Sequence, residues 1–146
     1  MKSMANKLFL DTNILIDFTL RREYELQATD TLFELSEEKK LDLFVSESVI
    51  TTTLYFLQKE KINSLAVLRE LSSCINIVHF KKDILFAQLE HFKEPEDGML
   101  YFMAAKSNLN FFITRNIKHF KFQLPSLPVL TPVQFLNFYN SGNDIS

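Results

Sequence analysis

Tryptophan is absent from this sequence, cysteine occurs once, glycine twice and proline four times. A single cysteine, Cys74, excludes an internal disulfide, and a reducing, cytoplasmic setting is therefore expected. Cys74 stands in the apolar run Cys74-Ile75-Asn76-Ile77-Val78. It reads as a small buried side chain rather than a reactive thiol. With so little glycine and proline the chain has few places to break. No repeat, low-complexity tract or Gly/Ser linker divides it. No run reaches the roughly 20 apolar residues of a membrane span. Met1 to Lys7 has no long apolar stretch after its lysines, so a signal peptide is not expected either. An excess of positive charge is missing too. Sixteen Lys and Arg face eighteen Asp and Glu, a net charge of -2. That excludes a strongly basic nucleic-acid binder, which works by neutralising phosphates. Any such contact must be a local patch, and an acidic catalytic cluster would itself lower the net charge.

What is present suits one globular domain. The 146 residues are 47% hydrophobic and include 15 phenylalanines, bulk enough for one core without staples. Residues 1–140 are expected to form that domain, with 141–146 as a flexible tail. Short, continuous apolar runs at Lys7–Asp11, Asp42–Ser46, Ile75–Phe80 and Asn110–Thr114 read as buried strands, with a possible fifth at Pro128–Leu130. Helical spacing falls between them, at Glu25–Lys39, Glu47–Lys59, Asn63–Ser73, Lys82–Phe92 and Glu96–Ser107. A last helix is expected after Thr131-Pro132, running to about Asn140, since Thr caps and Pro suits the first turn. Strands alternating with helices predict an α/β fold, a parallel sheet wrapped on both sides. Such sheets bind ligands beyond the carboxyl ends of their strands. That directs attention to Asp11-Thr12-Asn13, Ser46-Glu47 and Thr114-Arg115-Asn116.

Asp11 closes the first buried strand. It reads either as a cap on the next helix or, with Thr12 and Asn13, as part of an oxygen-rich site for Mg²⁺ or Mn²⁺. Glu96-Asp97 follows Pro95 at a helix start, where the dipole stabilises carboxylates. Asp97 either serves that helix alone or points across the strand ends toward Asp11.

Four blocks, in order, resemble PIN domains. They are Leu8-Phe9-Leu10-Asp11-Thr12-Asn13-Ile14-Leu15-Ile16-Asp17, Glu96-Asp97-Gly98-Met99-Leu100-Tyr101-Phe102-Met103-Ala104-Ala105, Phe112-Ile113-Thr114-Arg115-Asn116-Ile117-Lys118-His119-Phe120, and Leu130-Thr131-Pro132-Val133-Gln134-Phe135-Leu136. Together they span roughly residues 7–138. The resemblance implies a PIN-like three-layer α/β/α fold with about five parallel strands. It also implies metal-dependent ribonuclease chemistry, as in the VapC-like toxins of toxin–antitoxin pairs. There a divalent ion activates water and stabilises charge on the attacked phosphate. Carried over by position, Asp11 and Asp97 would be catalytic metal ligands, with Glu96 as an accessory ligand and Mg²⁺ or Mn²⁺ as the cofactor. Thr12 and Asn13 would orient the first carboxylate.

Two positions depart from the family pattern. The acid of the helix after strand two is replaced by Thr52, or by Thr53 if the register slips. The acid that follows the Thr-Arg pair, directly or a few residues on, is replaced at Asn116 and His119; the Asn116 carbonyl can still ligate a hard cation. His119, a few residues on, is either a metal ligand or proton donor or a plain turn residue. One divalent ion is then expected rather than two. A fold that no longer cuts, serving as an RNA- or protein-binding module, is the alternative expectation. Arg115 is the candidate for an RNA phosphate. Leu54-Tyr55-Phe56-Leu57 and Asn63–Leu71 either fill the core or form a groove for an antitoxin or a second copy of the chain.

Overall fold

The computed structural model describes the backbone of residues 5–145 and the side chains up to residue 142. Its elements alternate along the chain: β1 Asn6–Leu10, α1 Thr12–Leu20, α2 Leu26–Glu37, β2 Leu41–Ser46, α3 Glu47–Lys59, α4 Ser64–Leu71, β3 Ile75–Val78, α5 Pro95–Lys106, β4 Phe111–Ile113, β5 Val129–Leu130 and α6 Pro132–Ile145. The strands form one parallel sheet in the order β3-β2-β1-β4-β5. Leu8, Phe9 and Leu10 of central β1 are all inaccessible to solvent. Successive strand side chains point to opposite faces, so helices cover the sheet on both sides. This is the expected three-layer α/β/α fold.

The chain turns from strand to helix where the sequence supplies caps. Ser46 Oγ accepts the Val49 N–H at 3.2 Å and starts α3. Thr131 Oγ1 accepts the Gln134 N–H at 3.2 Å and, with Pro132, starts α6. That helix continues to Ile145, past the expected end near Asn140; Ser146 lies outside the described residues. The phenylalanine-rich composition is used around Tyr101 of α5. This buried ring packs with Phe92, Phe112 and Phe120. Its hydroxyl donates to Leu127 O at 2.6 Å and accepts from Leu124 N–H at 2.7 Å. One side chain thus ties α5 to the segment leading into β5.

Two sequence expectations are corrected, at residues 82–92 and at Cys74, while the stretch around α3 and α4 divides between the core and the surface. Residues 82–92 form no α-helix but two short 3₁₀ turns, Lys82–Phe86 and Leu89–His91. Their apolar spacing has no surface to dock on: Leu85 is 51% and Phe86 87% exposed, while Ile84 and Phe92 turn inward. A segment this short is not helical without a packed face. Around α3 and α4, Leu57 and Leu71 fill the core, but Tyr55, Ile62 and Leu65 remain exposed. Cys74 is only partly buried, with its Sγ 3.8 Å from Glu37 Oε1.

Candidate active site

The strand order reverses between β1 and β4, and in open parallel sheets the crevice at that switch point is the ligand site. Asp11 follows β1 and Thr114 follows β4. The Asp11 N–H donates to Ile113 O at 2.9 Å, which locks the two strand ends together. Asp11 then takes both roles left open by the sequence. Its Oδ1 accepts the Thr12 N–H at 2.8 Å as the cap of α1. Its Oδ2 accepts the Thr114 hydroxyl at 2.8 Å and, more weakly, Asn13 Nδ2 at 3.4 Å. Asn13 in turn receives the Arg115 N–H on its Oδ1 at 3.1 Å. Asn13 thereby fastens the end of β4 to the first turn of α1.

Asp11 is 5% exposed. Burial pushes its carboxyl up to about 6; the Thr114 and Thr12 hydrogen bonds oppose this, and the negative charge of Asp97 adds to it. Asp97, in the first turn of α5, is half-buried. Burial raises its pKa, the nearby His119 lowers it, and Glu94 and Glu96 raise it. His119 Nδ1 stands 3.8 Å from Asp97 Oδ2. The two aspartates, distant in sequence, therefore share one electrostatic environment. They line one cleft of about 310 Å³ with Thr12, Asn13, Thr52, Glu96 and Arg115. A neighbouring hollow of about 580 Å³ shares Thr12, Thr52 and Glu96 and extends past Ser46, Phe80 and Met103. A larger hollow, about 990 Å³, lies at the opposite end of the sheet by Lys7, Leu41 and Ile75 and shares none of these residues.

The register question in α3 has a clear answer. Thr52 is exposed and faces the cleft, whereas Thr53 is buried and donates to Val49 O at 2.7 Å. Glu96 is exposed at the rim. Asn116 is not drawn in: its side chain is exposed and does not line the cleft, and its N–H donates to Thr114 Oγ1 at 3.2 Å.

Asp17 stands in the Asp11 block without a role that the sequence assigns. It is 1% exposed, and neither carboxylate oxygen has a hydrogen-bond partner among the described residues. Arg115 Nε is 3.5 Å from one oxygen and Arg22 NH1 3.9 Å from the other. Burial raises the Asp17 pKa, and Arg115 and Arg22 pull it back. The available signal was a charge inside the run Ile14-Leu15-Ile16-Asp17-Phe18, on the helix face of Asn13 four residues earlier.

The oxygen donors of Asp11 and Asp97 suit a hard cation, and their mutual repulsion is what a cation relieves. Among the described residues, no three His, Cys, Asp or Glu side chains come together as a metal cluster. Two carboxylates with water match one ion of the magnesium type, which keeps several waters. They do not match a tight two-ion centre. Among the described residues, no helix is long and apolar enough to cross a membrane.

No curated protein matches the sequence. Several solved structures are similar to it, among them these three. A toxin–antitoxin complex from Klebsiella pneumoniae is 25% identical, with a TM-score of 0.66 over 86% of this chain and 97% of that one. VapBC2 from Rickettsia felis, bound to a DNA fragment from its promoter, is 22% identical, with a TM-score of 0.63 over 84% and 96%. VapC20 from Mycobacterium tuberculosis, a sarcin-ricin loop cleaving toxin, is 16% identical, with a TM-score of 0.53 over 72% and 86%. The family model for the PIN domain matches residues 7–118, which takes in β1 through β4 and both aspartates of the cleft. The chain belongs to the PIN domain family.

Proposed function

We propose that this protein is a divalent-metal-dependent endoribonuclease, the toxin of a toxin–antitoxin pair, working with one metal ion. The observation that carries the reading is the meeting of Asp11 and Asp97 in one cleft at the switch point of the sheet, both with raised pKa. Asp11 and Asp97 would hold Mg²⁺ or Mn²⁺, and Glu96 at the rim would act through a water. The ion, when bound, supplies an activated water and offsets charge on the attacked phosphate. Thr12, Thr114 and Asn13 hold the Asp11 carboxylate in one orientation. Thr52 offers a hydroxyl in place of a charge. His119 sets an imidazole beside Asp97, where it would serve as a metal ligand or a proton donor. Arg115 lines the same cleft as a cation for RNA. Asn116 would join the site only if its loop moved.

An antitoxin is the inferred partner, since two of the similar structures are toxin–antitoxin assemblies. The exposed Tyr55, Ile62 and Leu65 around α3 and α4 offer an apolar surface for it or for a second copy. Cytoplasmic residence completes the reading. One observation favours the second reading, a non-cutting RNA- or protein-binding module: the cleft lacks an acid at Thr52, and Asn116 lies outside its lining. The discriminating experiment is RNA cleavage with and without Mg²⁺ or Mn²⁺, by the wild type, Asp11→Asn and Asp97→Asn. Metal-dependent cutting lost in both variants supports the nuclease. No cutting and no Mn²⁺ binding by calorimetry supports the module. Cutting unchanged in both variants refutes the assignment of the site.

A further inference from the structure

Asp17 has no place in the metal site, yet it is a fully buried carboxylate with two arginines as its counterions. A buried charge is kept only when it is paired. Its pairs are long, 3.5 Å to Arg115 Nε and 3.9 Å to Arg22 NH1, and neither is a hydrogen bond. What they have in common is direction: Arg22 and Arg115 both line the cleft that holds Asp11 and Asp97.

Both arginines are anchored from behind and open in front. Arg115 is fastened to α1 twice, by its N–H on Asn13 Oδ1 and by its Nε against Asp17. Its guanidinium lies 4.0 Å from the centre of the Tyr24 ring. Arg22 folds back on α1 because Arg21 takes a left-handed conformation, φ 58°, and the Arg22 N–H closes onto Asp17 O at 2.9 Å. Its guanidinium lies 5.8 Å from the Phe56 ring. Ring faces limit how a guanidinium turns. The side chains keep 37% and 30% exposure for Arg22 and Arg115. Each guanidinium has five N–H donors, so outer donors stay free for a ligand. Two positive charges against one negative leave a surplus positive charge beside the aspartates.

We propose that Asp17 is a positioning residue. It sets Arg22 and Arg115 as a two-guanidinium clamp for a backbone phosphate of single-stranded RNA, next to the phosphate that is cut. Guanidinium forks match phosphate oxygens in pairs. This rests on the ribonuclease reading for its substrate, but it is tested by binding rather than by cutting.

The test uses the full chain in EDTA and a fluorescent oligouridylate, with affinity measured across a salt series. Arg22→Gln and Arg115→Gln should each weaken binding on the order of tenfold. Each should also flatten the slope of log K against log salt by about 0.7, the value for one lost single-strand phosphate contact. Arg115→Lys, which keeps the charge, should restore less than half of the lost affinity. Asp17→Asn makes the cleft more positive, yet it should weaken binding and flatten the slope, because the arginines lose their anchor. Thermal melting confirms that each variant is folded. Equal or tighter binding by Asp17→Asn overturns the positioning role, and unchanged salt slopes in both arginine variants overturn the clamp. If the slopes respond but no RNA is cut under any metal, the nuclease reading falls and the clamp stands. If Asp11→Asn abolishes cutting while the arginine variants bind normally, the reverse holds.

Discussion

Replacing Asp11 by Asn should stabilise the metal-free protein at neutral pH while abolishing its activity. The magnitude follows from the position of the group. Burial raises the Asp11 pKa from 3.8 to about 6. At 1.36 kcal/mol per unit, ionising Asp11 in the folded protein costs about 3 kcal/mol at pH 7. Because the folded pKa is raised, the folded state holds the proton more tightly. Its stabilising effect is complete below about pH 4 and is lost as pH rises through 6. Asp11→Asn removes that penalty. It also puts an amide N–H₂ against the Thr114 hydroxyl, which already accepts from Asn116 N and Asn13 Nδ2. That conflict costs roughly 1–2 kcal/mol. The net gain of about 1–2 kcal/mol corresponds to a melting temperature roughly 2–8 °C higher for a chain of this size. Circular dichroism melts in EDTA, from pH 4 to 8, measure it. The wild type should lose more stability between pH 4 and 6 than the variant, which keeps only the contributions of the raised Asp17 and Asp97 carboxyls. A variant melting below the wild type at pH 7, with the same pH dependence, would show that Asp11 is a structural cap and carries no electrostatic strain for a metal to relieve.

Three more changes test neighbouring parts of the argument. Thr52→Glu puts a third carboxylate in the cleft, so calorimetry should find Mn²⁺ bound on the order of tenfold more tightly; unchanged affinity would mean that α3 does not face the ion. Tyr101→Phe leaves Leu127 O and Leu124 N–H without their buried partner, and urea unfolding should show a loss of about 1–3 kcal/mol. In Gly98→Ala the new Cβ would sit 2.9 Å from Phe92 Cδ1 and 3.1 Å from Leu89 Cδ2. Phe92 is itself packed against Tyr101 and Phe120, so the variant should lose about 1–3 kcal/mol; no loss would show that the 3₁₀ turns at 82–91 yield freely.

Much of this protein is legible in its sequence for a simple reason. β1, β2 and β4 lie inside the sheet, covered on both faces, so their apolar runs are continuous. The cap at Thr131 marks where a helix starts, because an orphan N–H needs an oxygen nearby in the chain. Asp11 and Asp97 stand out as acids at element ends, and the order of the four blocks names the family. Residues 82–92 depart from the helix their spacing predicts, because spacing makes a helix only where a docking face exists, and here Leu85 and Phe86 meet solvent. Tertiary structure alone chose Thr52 over Thr53, left the Asn116 side chain out of the cleft, and turned Asp17 from a charge in an apolar helix into the counterion of two cleft arginines. Local patterns record what a residue needs from its near neighbours. Which charges meet across β1 and β4, and how strongly burial shifts them, depends on contacts about a hundred positions apart, such as Thr114 on Asp11, and these exist only once the sheet has closed.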